Sequence, residues 1–321
     1  MSKHMSRREF LIFAGQAGAL LAGAGVVRSM GQRPSEVATA SRRRLGNPDI
    51  VAVARGDLLS KGEREAKAMM RACLEPLGGM KTFVKPGNRV VIKPNVGWMR
   101  TPDQAANTNP LLVGALVAIC RDSGATEVVV FDHTCDTPAE MCFSMSGIAE
   151  AAGKAGARWE SGHEQSGYRQ VSLDRGKVLT TAEVHRLVLD ADVLINMPIA
   201  KVHNATGLTL GMKNFMGVVW NRGDWHNSSS LDQCIADFTA SYPATLTIID
   251  AQRILLTNGP KGPGRTEDKH TIVAGVDPVA VDAYGATLFG MNPANVLHIA
   301  NADRVGAGKM DLKKVRIVKV S

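Results

Sequence analysis

Four short apolar runs, each closed by polar groups, constrain the fold of this chain most: RVVIKPN, EVVVFDH, DVLINMP and ATLTIIDA. Their apolar residues are continuous, not alternating. Such strands suit a sheet covered on both faces, because every side chain must be buried whichever way it points. Helical segments separate them. KGEREAKAMMRACLEPL puts Ala66, Met69, Met70 and Cys73 on one stripe. NPLLVGALVAICRDSG starts with Asn109 and Pro110 and stops near Gly124. SGIAEAAGKAG, LDQCIADFTAS and DPVAVDAYGATLFG complete the helical set, the last with Pro278 in its first turn. A first strand is expected at Ile50–Ala54 and a terminal one in KVRIVKVS. The alternation predicts an α/β fold, a largely parallel doubly wound sheet with helices on both faces. Two irregular insertions are expected: strands from Tyr168 to Val184, as a hairpin, and a long Gly/Pro-rich loop over residues 252–270.

In open α/β sheets ligands bind beyond the carboxyl ends of the strands. Lys93 and Asn95 follow the first run, and Asp132, His133 and Cys135 the second. Lys201, His203 and Asn204 follow the third, and the fourth ends in Asp250. Each alone has a bland explanation: a solvated lysine, a capping carboxylate, a packed histidine. Together they predict one polar rim.

The stretch MPIAKVHNATGLTLGMKNFMG sharpens this expectation. No Asp or Glu occurs from Val193 to Gly223. Lys201, His203 and Lys213, with the amides of Asn204 and Asn214, are therefore candidates for an anion pocket. Gly207, Gly211 and Gly217 are expected to let backbone approach the ligand. The bland alternative is a tightly packed helix whose Lys213 reaches solvent. Asp277, immediately before Pro278, is a sound helix cap as well as a candidate ligand group. Asp282 lies on an apolar face and needs a partner, for which a pocket lysine is a candidate. NGPKGPG is a candidate lid, closing through Lys261 or Arg265.

At the N-terminus, SRREFL precedes a Gly/Ala-rich apolar run that reaches Val27. This order reads as a twin-arginine export signal, with a linker, over residues 1–40. The small-x-small triplet Ala38–Ala40 offers a cleavage site, leaving a domain over 41–321. Gln16 and four glycines weaken the competing reading as a membrane anchor. The expected location is the periplasm or cell envelope, without stable membrane insertion once the signal is removed. A route that exports folded proteins raises the expectation of a cofactor without naming one.

The net charge is +8, of which +3 lies in residues 1–40. Basic residues are dispersed and only 5% of the chain is aromatic, so nucleic acid is not an expected partner. Among the five cysteines there is no C-x-x-C. Cys73 and Cys120 read as buried small apolar groups, and an oxidising compartment permits a Cys135–Cys142 disulfide. Asp132, His133, Cys135 and Cys142 form a weak candidate metal set. No G-x-G-x-x-G is present, so a dinucleotide held in the usual way is not expected.

The segments VVIKPNVG, TNPLLVGALVAICRDSGATEVVVFD, ADVLINMPIAKVHNATGLTLGMKNFMGVV, LTIIDA, NGPKGPG and AGVDPVAVDAYGA resemble the DUF362 family, a domain of unknown function. The ordered combination of I-K-P-N, P-x-x-K-x-H and K-N-x-x-G is specific. The resemblance implies signature positions at Lys93, Asn95, Lys201, His203, Lys213, Asn214, Asp250, Asp277 and Asp282. Many members carry an iron–sulfur segment with C-x-x-C spacing, which this chain lacks, so no cluster carries over.

The leading expectation is an exported enzyme that binds an anionic small molecule. Lys93, Lys201 and Lys213 would hold carboxylate or phosphate, and His203, His133 or Lys201 would move protons in redox or isomerase-like chemistry. The alternatives are a non-catalytic solute-binding protein and a metal carrier of the cell envelope. Composition and spacing name no cofactor, substrate or oligomeric state.

Overall fold

The computed structural model describes residues 45–228 and 230–320. The export signal, linker and cleavage site expected in residues 1–40 lie outside the described residues.

The chain opens with β1 (Ile50–Arg55), α1 (Leu58–Leu74), β2 (Arg89–Pro94), α2 (Pro110–Asp122) and β3 (Glu127–Asp132). Two short helices follow, α3 (Ala139–Met145) and α4 (Ile148–Lys154), and then β4 (Arg158–Ser161). The middle of the chain is β5 (Tyr168–Ser172), β6 (Thr181–His185), α5 (Arg186–Leu189), β7 (Val193–Met197), β8 (Ile199–His203) and β9 (Gly207–Thr209). Next come α6 (Gly211–Asn214), α7 (Arg222–Asn227) and α8 (Leu231–Ser241). The last elements are β10 (Leu246–Leu255), β11 (Thr266–Gly275), α9 (Pro278–Thr287), α10 (Leu297–Arg304) and β12 (Arg316–Val320).

The main sheet runs β12-β1-β11-β10-β7-β2-β3-β4, with β8 paired to β10 and β9 to β8. From β10 to β4 every neighbouring pair is parallel. The exceptions to the parallel expectation are β9, antiparallel to β8, and β11, antiparallel to both β1 and β10. β11 returns from β10 through a direct hairpin, which can only join antiparallel strands.

Pleat explains the apolar runs. Val51, Val53 and Val91 point into one core, while Ala52, Ala54, Val90 and Ile92 point into the other. The first core is closed by α8, α9, α10 and the β5–β6 hairpin, through residues such as Ile235, Phe238, Val279, Ile299 and Val184. The second is closed by α1, α2 and α4, through Met70, Leu74, Leu112, Leu116 and Ile148. Helix starts follow local chemistry. Asn109 accepts a hydrogen bond from Leu111 N at 2.9 Å ahead of Pro110. Asp277 accepts from Val279 N at 2.9 Å and Ala280 N at 3.1 Å ahead of Pro278.

The insertion after β4 is the β5–β6 hairpin, paired from Tyr168↔His185 to Ser172↔Thr181. The expected loop over 252–270 is shorter than its Gly/Pro content suggested. After a bulge between Ala251 and Arg253, β10 and β11 stay paired to Leu255↔Thr266, leaving residues 256–265 irregular. The Arg253 guanidinium holds the Asp268 carboxylate across these arms, with Nη2 3.0 Å from Oδ2. All five cysteines are free thiols, so Cys135 and Cys142 are unbonded. Among the described residues no helix is long and apolar enough to cross a membrane.

Strand order reverses at the β7–β2 pair. From β2 the chain proceeds outward to β3 and β4, then crosses back to β7 and on to β10. Such a switch point leaves a crevice beyond the strand ends. Here those ends pair Lys93 with Asn196 and Pro94 with Met197.

Candidate anion-binding site

A cavity of about 430 Å³ opens at this switch point. Lys93, Asn95, His133, Lys201, His203, Asn204, Lys213 and Asn214 line it, so the groups expected from strand tips of three runs meet in one place. Asp132, Cys135, Arg222, His226, Trp98 and Pro260 line it too.

Lys93 leaves β2 directly into the site and is almost wholly buried. Its Nζ lies 2.7 Å from Asp132 Oδ1, which arrives from the tip of β3. It also donates to Asn214 Oδ1 at 3.0 Å and Pro94 O at 2.8 Å. Burial pushes this amine below the usual lysine range, and Asp132 pulls it back. The pair closes against Gly217, where an added Cβ would lie 2.4 Å from Asp132 Oδ1 and 2.7 Å from Lys93 Nζ. Gly217 thus admits a buried ion pair, and it also lines the cavity. Gly211 plays a similar internal part: a Cβ there would meet Asp282 Oδ1 at 2.8 Å.

Lys201 is equally buried but, among the described residues, has no carboxylate partner. Its Nζ donates to Asn95 Oδ1 at 2.8 Å and to the Ala106 carbonyl. Asn95 Nδ2 donates to Asn214 Oδ1 at 2.7 Å, Asn214 Nδ2 to Asn196 Oδ1 at 2.8 Å, and Asn196 Nδ2 to Gly211 O at 2.7 Å. Donation runs one way, from Lys201 through three amides to the first residue of α6, and such chains polarise cooperatively. The amides of Asn95 and Asn214 therefore hold the lysines and are already spent within the protein. Burial, the largest influence, pushes the Lys201 amine down to about 7.

Lys213 sits on α6, a single turn set by Asp282. The Asp282 carboxylate accepts from Gly211 N at 2.7 Å and Met212 N at 2.9 Å. Lys213 is 9% exposed and, among the described residues, its Nζ has neither a hydrogen bond nor an ion pair. Burial pushes its amine down to about 8. Arg222, on α7, reaches the same cavity without a carboxylate partner among the described residues; its Nη1 and Nη2 donate to the carbonyls of His133 and Thr134 at 2.6 and 2.7 Å.

The two candidate catalytic histidines present opposite faces. His203 Nδ1 accepts from Ala205 N at 3.1 Å, so the neutral ring carries its proton on Nε2. The single Tyr168 hydroxyl proton goes to Gly162 O at 2.7 Å. His133 Nδ1, 3.2 Å from that hydroxyl, must then be the donor, and its lone pair is on Nε2. Burial and the nearby cations keep both rings neutral. His203, beside Lys213, is pushed down to about 2, and His133, beside Arg222, to about 3. Trp220 stacks on His133 with centroids 5.4 Å apart.

Three expected ligand groups are elsewhere. Asp250 is wholly buried and accepts from Asn109 N at 2.8 Å and Gln252 N at 3.0 Å, tying the start of α2 to β10. Asp277 caps α9 and also accepts from Lys309 N at 2.9 Å. Asp282 finds backbone N–H groups, not a lysine. In all three a buried carboxylate answers orphaned donors at a turn or helix start, a demand nearer than any ligand. Nor do Asp132, His133, Cys135 and Cys142 form a ligand set. Among the described residues no three His, Cys, Asp or Glu side chains are grouped to hold a metal. Asp132 is engaged by Lys93 and by Val96 N at 2.7 Å, and the Cys142 thiol is turned to Asp136 O at 3.5 Å.

The 256–265 tip reaches the cavity mouth through Pro260. Lys261 is held outside, 2.8 Å from Asp136 Oδ1 and 5.4 Å from the Trp98 ring centroid. Sequence reasoning missed Arg222, His226 and Asn196. Asn196 had a signal, a lone amide in an otherwise apolar strand. Arg222 had none, because WNRGDWHNSSS reads as a solvated connection.

Comparison with known proteins follows the same segments. A family described as "Domain of unknown function (DUF362)" matches residues 90–287. A thylakoid-associated protein of Synechocystis sp. (strain ATCC 27184 / PCC 6803 / Kazusa) is 27% identical over 260 residues, covering 74% of each chain. Two solved structures are similar in outline. A Thermotoga maritima protein shares 13% identity at a TM-score of 0.43 over 74% of this chain. The lactate racemase apoprotein of Thermoanaerobacterium thermosaccharolyticum shares 11% at 0.47, also over 74%. The chain spans 60% and 56% of the lengths of these two structures. Because the family match extends over more than half of the sequence and contains the lysines, histidines and amides of the cavity, the chain belongs to the DUF362 family.

Proposed function

We propose that the switch-point cavity binds a small carboxylate or phosphate anion and moves a proton on it. One observation carries this reading: Lys213 is a nine-tenths-buried amine, aimed into the cavity, without a protein partner among the described residues. A buried cation left alone is costly, and an anionic ligand supplies what the chain withholds. Arg222 and the Nε2–H of His203 add donors on the same wall. Among the described residues Asp132 is the one acid lining the cavity, and it is paired with Lys93, so Lys213 and Arg222 leave an excess of positive charge.

The proton-moving groups are Lys201, whose amine titrates near neutrality, and His133, whose Nε2 carries a lone pair. A base is most useful when its pKa lies near the working pH, which favours Lys201 as base and leaves His133 as its counterpart. His203, held neutral, serves as hydrogen-bond donor to a developing negative charge. Native mass spectrometry of the full-length protein, purified at low salt, tests the binding reading. A small acid released on denaturation is expected. Protein that carries none, and that takes up neither oxalate nor phosphate at millimolar concentration, refutes it.

We further infer export in folded form to the periplasm or cell envelope. The Ser6-Arg7-Arg8 order before a weakly apolar run supports this, and the Synechocystis relative's name, thylakoid-associated, fits a chain sent out of the cytoplasm. Fractionation of cells expressing the wild-type chain and the Arg7→Lys/Arg8→Lys double variant tests it. The variant is expected to remain cytoplasmic; equal export of both contradicts the inference.

A further inference from the structure

We propose that Lys201 is a nucleophilic amine that condenses with the carbonyl group of a small 2-oxo acid. The proposal rests on the reading of the cavity as an anion site and names the substrate class of that site.

The geometry around Nζ carries it. Lys201 has two acceptors, Asn95 Oδ1 and the Ala106 carbonyl, both neutral. A neutral amine has two N–H groups to give, and both are placed. On a neutral amine the lone pair takes a remaining tetrahedral direction, and Lys201 is one of the residues that line the cavity. An ammonium would bring a third proton and a full charge to this position, where no carboxylate pairs with it among the described residues. Lys93 shows the contrast: its Nζ has a carboxylate partner, Asp132 Oδ1 at 2.7 Å. Without such a partner, burial favours loss of the Lys201 proton, and a desolvated unprotonated lysine is the usual form of a Schiff-base nucleophile.

The other walls say what the carbonyl is attached to. Lys213 and Arg222 bring cationic donors for a carboxylate. His203 offers an Nε2–H to the carbonyl oxygen while its Nδ1 is fixed by Ala205 N. A volume of about 430 Å³ admits a small acid of this kind. In the step, the Nζ lone pair forms the N–C bond to carbon 2, and the carbon–oxygen π pair moves to oxygen. The two protons lost from nitrogen leave with that oxygen as water, giving the imine. The step needs neither an oxidant nor a reductant.

The test is borohydride trapping on the full-length chain with pyruvate, read by intact mass and peptide mapping, with calorimetric titration of pyruvate and oxalate in parallel. A reduced pyruvyl adduct is expected on the peptide containing Lys201, suppressed by oxalate, which competes for the site but forms no imine. Lys201→Arg should give no adduct. Lys213→Gln should still give it, but at roughly tenfold higher pyruvate, as loss of one charged hydrogen bond implies. Circular dichroism confirms that the variants fold, and the wild-type peptide map stands independently of them. If both anions bind and no adduct forms, or the adduct maps to another lysine, the covalent step is wrong while the anion site stands. If neither anion binds and nothing is trapped, both fall.

Discussion

Lys93 Nζ and Asp132 Oδ1 lie 2.7 Å apart, with 1% and 3% of their side chains exposed. They come from the tips of neighbouring parallel strands, so the contact joins β2 to β3 where the switch-point crevice opens. Removing one partner strands the other in a dry site. Asp132→Asn, which preserves volume, is therefore expected to destabilise the protein by about 3–5 kcal/mol in urea unfolding. The Lys93→Met/Asp132→Leu double variant should recover most of that loss. A single variant within 0.5 kcal/mol of wild type would show that the pair is not a buried ion pair (a difference of about 1.4 kcal/mol is tenfold in the equilibrium).

Gly217 makes that pair possible. The nearest atoms to an added Cβ are the Asp132 carboxylate and the end of the Lys93 side chain, so the pair itself must shift to make room. Gly217→Ala is expected to cost about 1–3 kcal/mol as overpacking, measured by the denaturation midpoint at constant slope. An unchanged midpoint would mean that the pair has room to shift.

Asp282 acts on the cavity from outside it. Its two oxygens hold Gly211 N and Met212 N, which orients the single turn bearing Lys213. Asp282→Asn turns one acceptor into a donor facing an N–H. Oxalate affinity is expected to fall by roughly tenfold, the size of one lost charge-assisted hydrogen bond, although the residue touches no ligand. Unaltered affinity in a folded variant would separate α6 from the binding site.

Stability should depend on pH through Lys201. Its folded amine titrates at about 7, below the ordinary 10.5. Between those values the unfolded chain holds the additional proton, so this residue makes stability rise with pH across the window, with its penalty fully expressed below about 7. Replacing it by Met removes that contribution. The difference in Tm between pH 7 and pH 9.5, followed by thermal melts, is expected to be smaller in Lys201→Met than in the wild type. Equal differences would place the Lys201 proton elsewhere.

How much of this the sequence discloses depends on the physical scale of each signal. Uninterrupted apolar runs report burial on both faces, so β2, β3, β7 and β10 were legible, and the strand-end rule placed Lys93, Lys201 and His203 together. Caps are local, so Asn109 and Asp277 were legible as well. Partner choice is not local. The acid-free span around Lys201 suggested uncompensated cations, yet Lys93 takes its carboxylate from β3, more than sixty residues earlier than that span. Asp282, on an apolar face, calls for a partner in the sequence, but backbone N–H groups leave no mark in a residue string. Arg222 enters the cavity from a stretch with no periodicity, and only the packed chain brings it there.

The most direct test of the central claim is calorimetric titration of oxalate into the full-length wild-type chain and Lys213→Met, at pH 7 and pH 9.5. With Lys213 titrating at about 8, the expected result is one saturable site per chain that weakens at the higher pH. In the variant, affinity at pH 7 is expected to be lower by roughly tenfold or more. Absence of binding, or equal affinity in the two proteins at both pH values, would contradict an anion site built on Lys213.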